Sequence, residues 1–178
     1  KSEPPRSVIH PPIDLVPPSR SVEERRALRS PLPTDDDAVV IATPDRFDGI
    51  RHTISYLARQ TLRASLEIVI VASSRAQLKL NETLLPGPLK EFAQVQIVEV
   101  GAIHSIGRAN AAGIRRATAP LIALAEDHCF PDPQWAENLI KAHRGPWAAV
   151  GPAVRNANPK SAVSWPDLFI GYGPPLSP

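Results

Sequence analysis

The sequence predicts an α/β fold, a Rossmann-like, mainly parallel sheet flanked by helices, and three observations carry that prediction. Apolar runs of strand length recur as AVVIAT (residues 38–43), LEIVIVASS (66–74), VQIVEV (95–100) and LIALA (121–125). AVVIAT is continuous and β-branched rather than alternating, as a strand covered on both faces needs to be. Helical patterns stand between them, and strands alternating with helices imply right-handed βαβ crossovers.

The elements follow in order. AVVIAT is broken by Pro44, Asp45 and Arg46, after which FDGIRHTISYLARQT (47–61) places Ile50, Ile54, Leu57 and Ala58 on one helical face. LEIVIVASS is the second strand, and SRAQLKLNETLL (74–85) has weaker helical character before the Pro/Gly-punctuated LLPGPLKEF (84–92). VQIVEV is the third strand, a helix runs from about Gly107 to Ala117, and LIALA is the fourth strand. In PDPQW (131–135), Asp132 is placed as an N-cap and Pro133 in the first turn of a helix whose apolar face holds Trp135, Leu139 and Ile140. A fifth apolar run, WAAVGPAV, begins at Trp147, and beyond Val150 the chain turns rich in Pro, Gly and Asn around Trp165, Phe169 and Tyr172. No period of a solenoid kind recurs.

Residues 1–37 are unlike the rest. Pro4, Pro5, Pro11, Pro12, Pro17, Pro18, Pro31 and Pro33 remove backbone donors and fix φ, so an extended or irregular N-terminal arm is expected. Ser21 and Glu24 resemble a capping box ahead of a short helix in VEERRALR. The arm reads as a linker or self-packed segment, or as a partner-binding one. Asp35, Asp36 and Asp37 read as a solvated turn, with a metal site as the alternative.

Size and composition bound the function. At 178 residues there is room for one domain plus an arm. A net charge of +2, with basic residues spread along the chain, gives no electrostatic case for nucleic acid. The single cysteine, Cys129, excludes an internal disulfide framework and fits a reducing compartment. No apolar run has the length of a bilayer-spanning helix and no signal peptide is evident, so a cytoplasmic protein, at most peripheral to a membrane, is expected. The chain begins at lysine and contains no methionine, as a piece of a longer product would.

The chemistry concentrates where LIALA ends. Glu126, Asp127 and His128 follow the apolar run without a spacer, and in an open α/β sheet ligands sit beyond the carboxyl ends of the strands. These side chains read either as metal ligands or as acids capping the following turn with a surface histidine. The helix beginning near Ser105 offers free amide donors and a positive dipole end, and Arg108 reads as a phosphate contact or as a structural ion pair. Asn110 and Gly113 read as helix-to-sheet packing or local hydrogen bonding, Arg115 and Arg116 as a solvated face, and His104 as a loop residue. Cys129 reads as a small buried side chain, since no second cysteine completes a structural zinc site.

The string GRANAAGIRRATAPLIALAEDH, with VVIATPDR, the Gln60–Thr61 pair and PDPQW, resembles the nucleotide-binding half of family 2 glycosyltransferases of the A-type fold, over about residues 38–155. The resemblance rests on order and spacing: a helix bearing R-x-N-x-x-G, then a short apolar strand, then the place of a D-x-D motif. It implies a nucleotide-sugar-binding domain at 38–155, the start of an acceptor-side region at 156–178, and a chain that lacks the rest of the acceptor part. By position Glu126 replaces the first acid and His128 the last, which makes them the implied metal ligands, with Asp127 as an alternative ligand. A neutral imidazole suits Mn better than Mg, so a divalent cation, with Mn preferred over Mg, is the expected cofactor. Thr43, Pro44 and Asp45 fall where the family's first loop meets the nucleotide. Ser73 stands where the family usually presents an acid to the base, and a hydroxyl replaces that acid only in part; helix capping is the alternative for Ser73 and Ser74.

The resemblance thus implies a metal-dependent, inverting glycosyltransferase that moves a sugar from a nucleotide-diphosphate donor to a hydroxyl acceptor on a glycan, lipid or other molecule. Its nucleotide-binding residues would be Thr43, Pro44, Asp45, Ser73, Arg108, Glu126 and Asp127, and its metal ligands Glu126 and His128. No general base is evident after Arg155, where Asp167 lacks the family's usual context. A nucleotide-binding module without turnover is the second reading. A nucleotidyltransferase is the third, disfavoured by the lack of a Gly-rich phosphate loop with a lysine.

Overall fold

In a computed structural model of the protein, the described residues are 37–43, 46–79, 88–145, 147 and 149–172. Contacts divide the chain into residues 1–30 and 31–178, and the described residues all lie in the second unit. The expected arm, its short helix, Asp35, Asp36, Pro44, Asp45 and the side chain of Asp167 lie outside the described residues.

Four parallel strands form one sheet in the order β3-β2-β1-β4: β1 is Asp37–Thr43, β2 Leu66–Ala72, β3 Gln94–Glu99 and β4 Leu121–Ala125. The central pair explains the unbroken apolar runs. Every residue of β2 is buried, and β1 sends successive side chains into two separate cores because side chains alternate across a strand. Val39 and Ile41, with Ile68 and Ile70 of β2, pack against Phe47, Ile50, Ile54 and Leu57 of helix α1 (Phe47–Leu57). Val40 and Ala42, with Val69 and Val71, pack against Ala109 of helix α3 (Ile106–Arg116). The two helices therefore cover opposite faces of the sheet.

Gly113 allows α3 to lie close. A Cβ there would fall 2.3 Å from Val40 Cγ1 and 2.9 Å from Val71 Cγ2, so the helix-packing expectation for this residue is met. At the amino end of the sheet, Glu67 is buried and holds the turn between α3 and β4. Its Oε2 accepts from Thr118 N–H at 2.8 Å, Thr118 Oγ1 at 2.9 Å and Ala119 N–H at 3.0 Å, while the Gln96 amide donates to Oε1.

The remaining elements depart from the sequence pattern in specific ways. The segment from Ser74 supports only a single turn, α2 (Arg75–Leu78), which ends where Lys79 takes a left-handed φ of 49°. Residues 80–87 are outside the described set. The run WAAVGPAV makes no strand among its described residues: Trp147 is exposed, and 149–154 are irregular around Gly151 and Pro152. Helix α4 spans Trp135–His143, and Gln134 rather than Asp132 occupies its N-cap position. The Asp132 carboxylate is instead paired with Arg155. Trp135 packs against the α1-side core, as expected. Helix α5 spans Ser164–Tyr172, where Trp165 stacks on Phe169 at 5.9 Å and donates its indole N–H to Pro159 O at 3.0 Å.

Candidate functional site

The sheet changes direction at β1. From β1 the chain passes through α1 to β2 and on to β3, and α3 then carries it back over the other face to β4, on the far side of β1. A parallel sheet opens a crevice at such a switch point, outside the carboxyl ends of the two strands that part company. Here those strands are β1 and β4. Ile41 pairs with Ala125, so Glu126, Asp127 and His128 leave the sheet beside Ala42 and Thr43.

His128 meets both acids. His128 Nδ1 lies 2.8 Å from Asp127 Oδ1, and His128 Nε2 lies 3.3 Å from Glu126 Oε2. Glu126 and His128 are open to solvent, with side chains 61% and 75% exposed, whereas Asp127 is more sheltered at 30%. The backbone turns immediately, with Cys129 N–H donating to Glu126 O at 3.3 Å. Cys129 is unpaired and half-buried; burial pushes its thiol above the ordinary range, the Glu126 charge adds to this, and hydrogen bonds offset it only in part.

Helix α1 holds this turn from behind. Thr53, fully buried, donates its hydroxyl to Asp127 O at 2.7 Å. Just past the end of α1, Gln60 is also fully buried; its amide donates to Asp132 O at 2.7 Å and its carbonyl accepts from Ala136 N–H at 3.1 Å. Thr61 N–H donates to Pro133 O at 2.9 Å, and its hydroxyl donates to Glu137 at 3.2 Å. The segment from Asp127 to Glu137 is thus clamped along one side of α1. Thr53 drew no functional expectation from the sequence. Its signal was a hydroxyl standing inside the apolar stripe of Ile50, Ile54 and Leu57.

The other expected residues are placed as follows. Thr43 ends β1 and is fully buried. Ser73 follows β2, half-buried, and its carbonyl accepts from Gly101 N–H at 3.1 Å. Ser74 is the capping residue, its hydroxyl accepting from Gln77 N–H at 3.0 Å. Arg108 is exposed in the first turn of α3, which begins at the carboxyl edge of the sheet with Ser105 as its cap. Thus His128 is in contact with both Glu126 and Asp127, Thr43 is next to them through strand pairing, and Ser73 and Arg108 stand along the same edge.

The sequence model of the family described as glycosyl transferase family 2 matches residues 38–176. The chain belongs to glycosyl transferase family 2. Among solved structures it resembles S. aureus TarS 1–349 (13% identity, TM-score 0.51, covering 61% of this chain and 33% of that one). The same TarS segment in complex with UDP is matched at 13% identity and a TM-score of 0.50, over 61% of this chain and 32% of that one. The mannosyltransferase PcManGT from Pyrobaculum calidifontis, in complex with GDP-Man and Mn2+, is matched at 19% identity and a TM-score of 0.44, over 72% of this chain and 39% of that one. No curated protein matches. This family 2 chain spans about a third of the length of the TarS structures.

Glu126 and His128 at the end of β4 carry oxygen and nitrogen donors of the kinds a divalent cation takes. A carboxylate oxygen and an imidazole nitrogen 3.3 Å apart are spaced as neighbouring ligands of one ion bound at about 2.0–2.3 Å would be. Among the described residues no group of three or more His, Cys, Asp or Glu side chains could hold a metal ion. Two protein ligands would leave positions open for phosphate oxygens and water. Among the described residues no helix is long and apolar enough to cross a membrane.

Proposed function

We propose that this chain is the donor-binding part of a metal-dependent glycosyltransferase that transfers a sugar from a nucleoside-diphosphate donor to a hydroxyl acceptor. The observation that carries the reading is the pair Glu126 Oε2 and His128 Nε2, 3.3 Å apart and open to solvent at the switch point. In this reading Glu126 and His128 hold the cation. When bound, it neutralises the charge that builds on the diphosphate leaving group as the glycosidic bond breaks. The imidazole in the set favours Mn2+ over Mg2+.

The chain's own residues supply the rest. By their place in the sequence Thr43, Pro44 and Asp45 are assigned to the nucleoside, and Ser73, just after β2, offers a hydroxyl to the base in place of a carboxylate. Arg108 and the amino end of α3 present a cation and a positive dipole to the donor phosphates. Asp127 belongs to the same binding edge. An inverting reaction also needs a base that takes the acceptor's proton, and none of the residues named here is assigned to it. The free, half-buried Cys129 suits a reducing, cytoplasmic setting.

The test is thermal unfolding with UDP or GDP, each with Mn2+, with Mg2+ or with EDTA. A rise in midpoint that needs nucleotide and metal together is expected, worth about 2.7 kcal/mol when ligand is present at a hundred times its dissociation constant. If no nucleotide and metal pair stabilises the chain, the donor-site reading is wrong.

A further inference from the structure

The sheltered member of the triplet is Asp127, and the geometry around it points to a role different from that of a metal ligand. Its carboxylate is committed to His128 Nδ1 at 2.8 Å, within the range of charge-assisted bonds, while its carbonyl oxygen accepts the Thr53 hydroxyl at 2.7 Å. Both polar ends of one residue are thereby spent on holding it in place. His128, by contrast, faces solvent and meets Glu126 only at 3.3 Å through its other nitrogen.

An imidazole hydrogen-bonded through Nδ1 carries its proton there and keeps the Nε2 lone pair for a cation. We infer that Thr53 and Asp127 are positioning residues for His128: the buried Thr53 hydroxyl pins the backbone of Asp127, and the Asp127 carboxylate turns His128 so that Nε2 faces the cation beside Glu126. This rests on the donor-site reading above and extends it by fixing which nitrogen binds and what orients it. It also explains why a hydroxyl sits in the apolar stripe of α1. Thr53 is fully buried, and its hydroxyl reaches the carbonyl of Asp127 at 2.7 Å as well as touching Cys129. The consequence is a ligand set of one carboxylate and one oriented imidazole, with Asp127 outside the coordination shell.

Electron spin-echo envelope modulation of bound Mn2+, recorded with whichever of UDP or GDP stabilises the chain more, reads this directly, because a coordinated imidazole nitrogen modulates the echo. The unmodified chain is expected to show one such nitrogen, and His128→Gln none. Asp127→Ala and Thr53→Val are each expected to weaken or abolish the nitrogen coupling and to lower Mn2+–nucleotide affinity by about tenfold to a hundredfold, the usual cost of losing an outer-shell partner. Asp127→Asn and Thr53→Ser, which keep an acceptor for Nδ1–H and a hydroxyl, should restore both. If Thr53→Val does not fold, Asp127→Ala decides alone, since its side chain is partly exposed and the Thr53 bond is to backbone. Unchanged coupling and affinity in Asp127→Ala overturn the inference. An unmodified chain that binds Mn2+ and nucleotide without a nitrogen signal also overturns it and leaves the donor-site reading standing; one that binds neither overturns both.

Discussion

Glu67 stands second in a strand sealed on both faces, and its charge is tolerated because four donors converge on it. Burial pushes its carboxyl upward, and the bonds from Thr118 N–H and hydroxyl, Ala119 N–H and Gln96 together outweigh that, so it ionises below its ordinary value of 4.5. A carboxyl with a depressed folded-state pKa stabilises the fold fully above the unfolded value, and that contribution is lost as pH falls through the lower folded one. Urea midpoints of the unmodified chain should therefore fall below about pH 4.5, and Glu67→Gln should flatten that acid limb while costing about 1–3 kcal/mol at neutral pH. At the other end of the sheet, Glu126→Ala removes a solvent-facing carboxylate, the proposed metal ligand. It should leave the unfolding midpoint without ligand near that of the unmodified chain and weaken Mn2+–nucleotide binding by about tenfold or more, as measured by titration calorimetry. The sequence made Glu126 to His128 legible because polar groups directly abut an apolar run. Thr53 and Glu67 stayed hidden for the opposite reason: each is a single polar side chain set inside an apolar pattern, and what it bonds to is far away in sequence.

Among the elements, α3 shows how local propensity and packing come into conflict. Alanine is preferred over glycine inside a helix by about 1 kcal/mol. At Gly113 the added methyl would meet Val40 and Val71 of the sheet, so Gly113→Ala should instead destabilise by about 1–3 kcal/mol in a denaturant titration. The start of α4 shows a second kind of conflict. Asp132 followed by proline has the form of a cap, yet the helix begins at Trp135, because Gln60 in the turn after α1 supplies the acceptor for Ala136 N–H and Arg155 takes the Asp132 carboxylate. A cap donated by a distant turn leaves no local trace. Gln60→Leu strands that amide and the Asp132 carbonyl, and should cost about 1–3 kcal/mol for each with faster hydrogen exchange at Ala136. Strand positions were legible to within a residue or two, since burial on both faces dictates composition directly. The run at Trp147 was not, because apolar content alone does not make a strand where Gly151 and Pro152 interrupt the ladder.

For the whole molecule, the strand order follows from the alternation of elements and the handedness of their crossovers, and that order alone puts the crevice between β1 and β4. The direction in which the chain turns after β3 could not be read from any single segment. It depends on α3 covering the face opposite α1, which in turn depends on Gly113.

The β1–β4 pairing, which joins Asp37 to Leu121, has a further consequence for how the molecule comes to life. Zippering the earliest strand to the last requires closing a loop that contains nearly all the intervening structure, and such distant closures come late and slowly. A chain caught before that step would own both cores in part yet lack the crevice between β1 and β4. If that crevice receives the proposed donor, competence to bind emerges together with β4, making ligand capture a stopwatch for its docking.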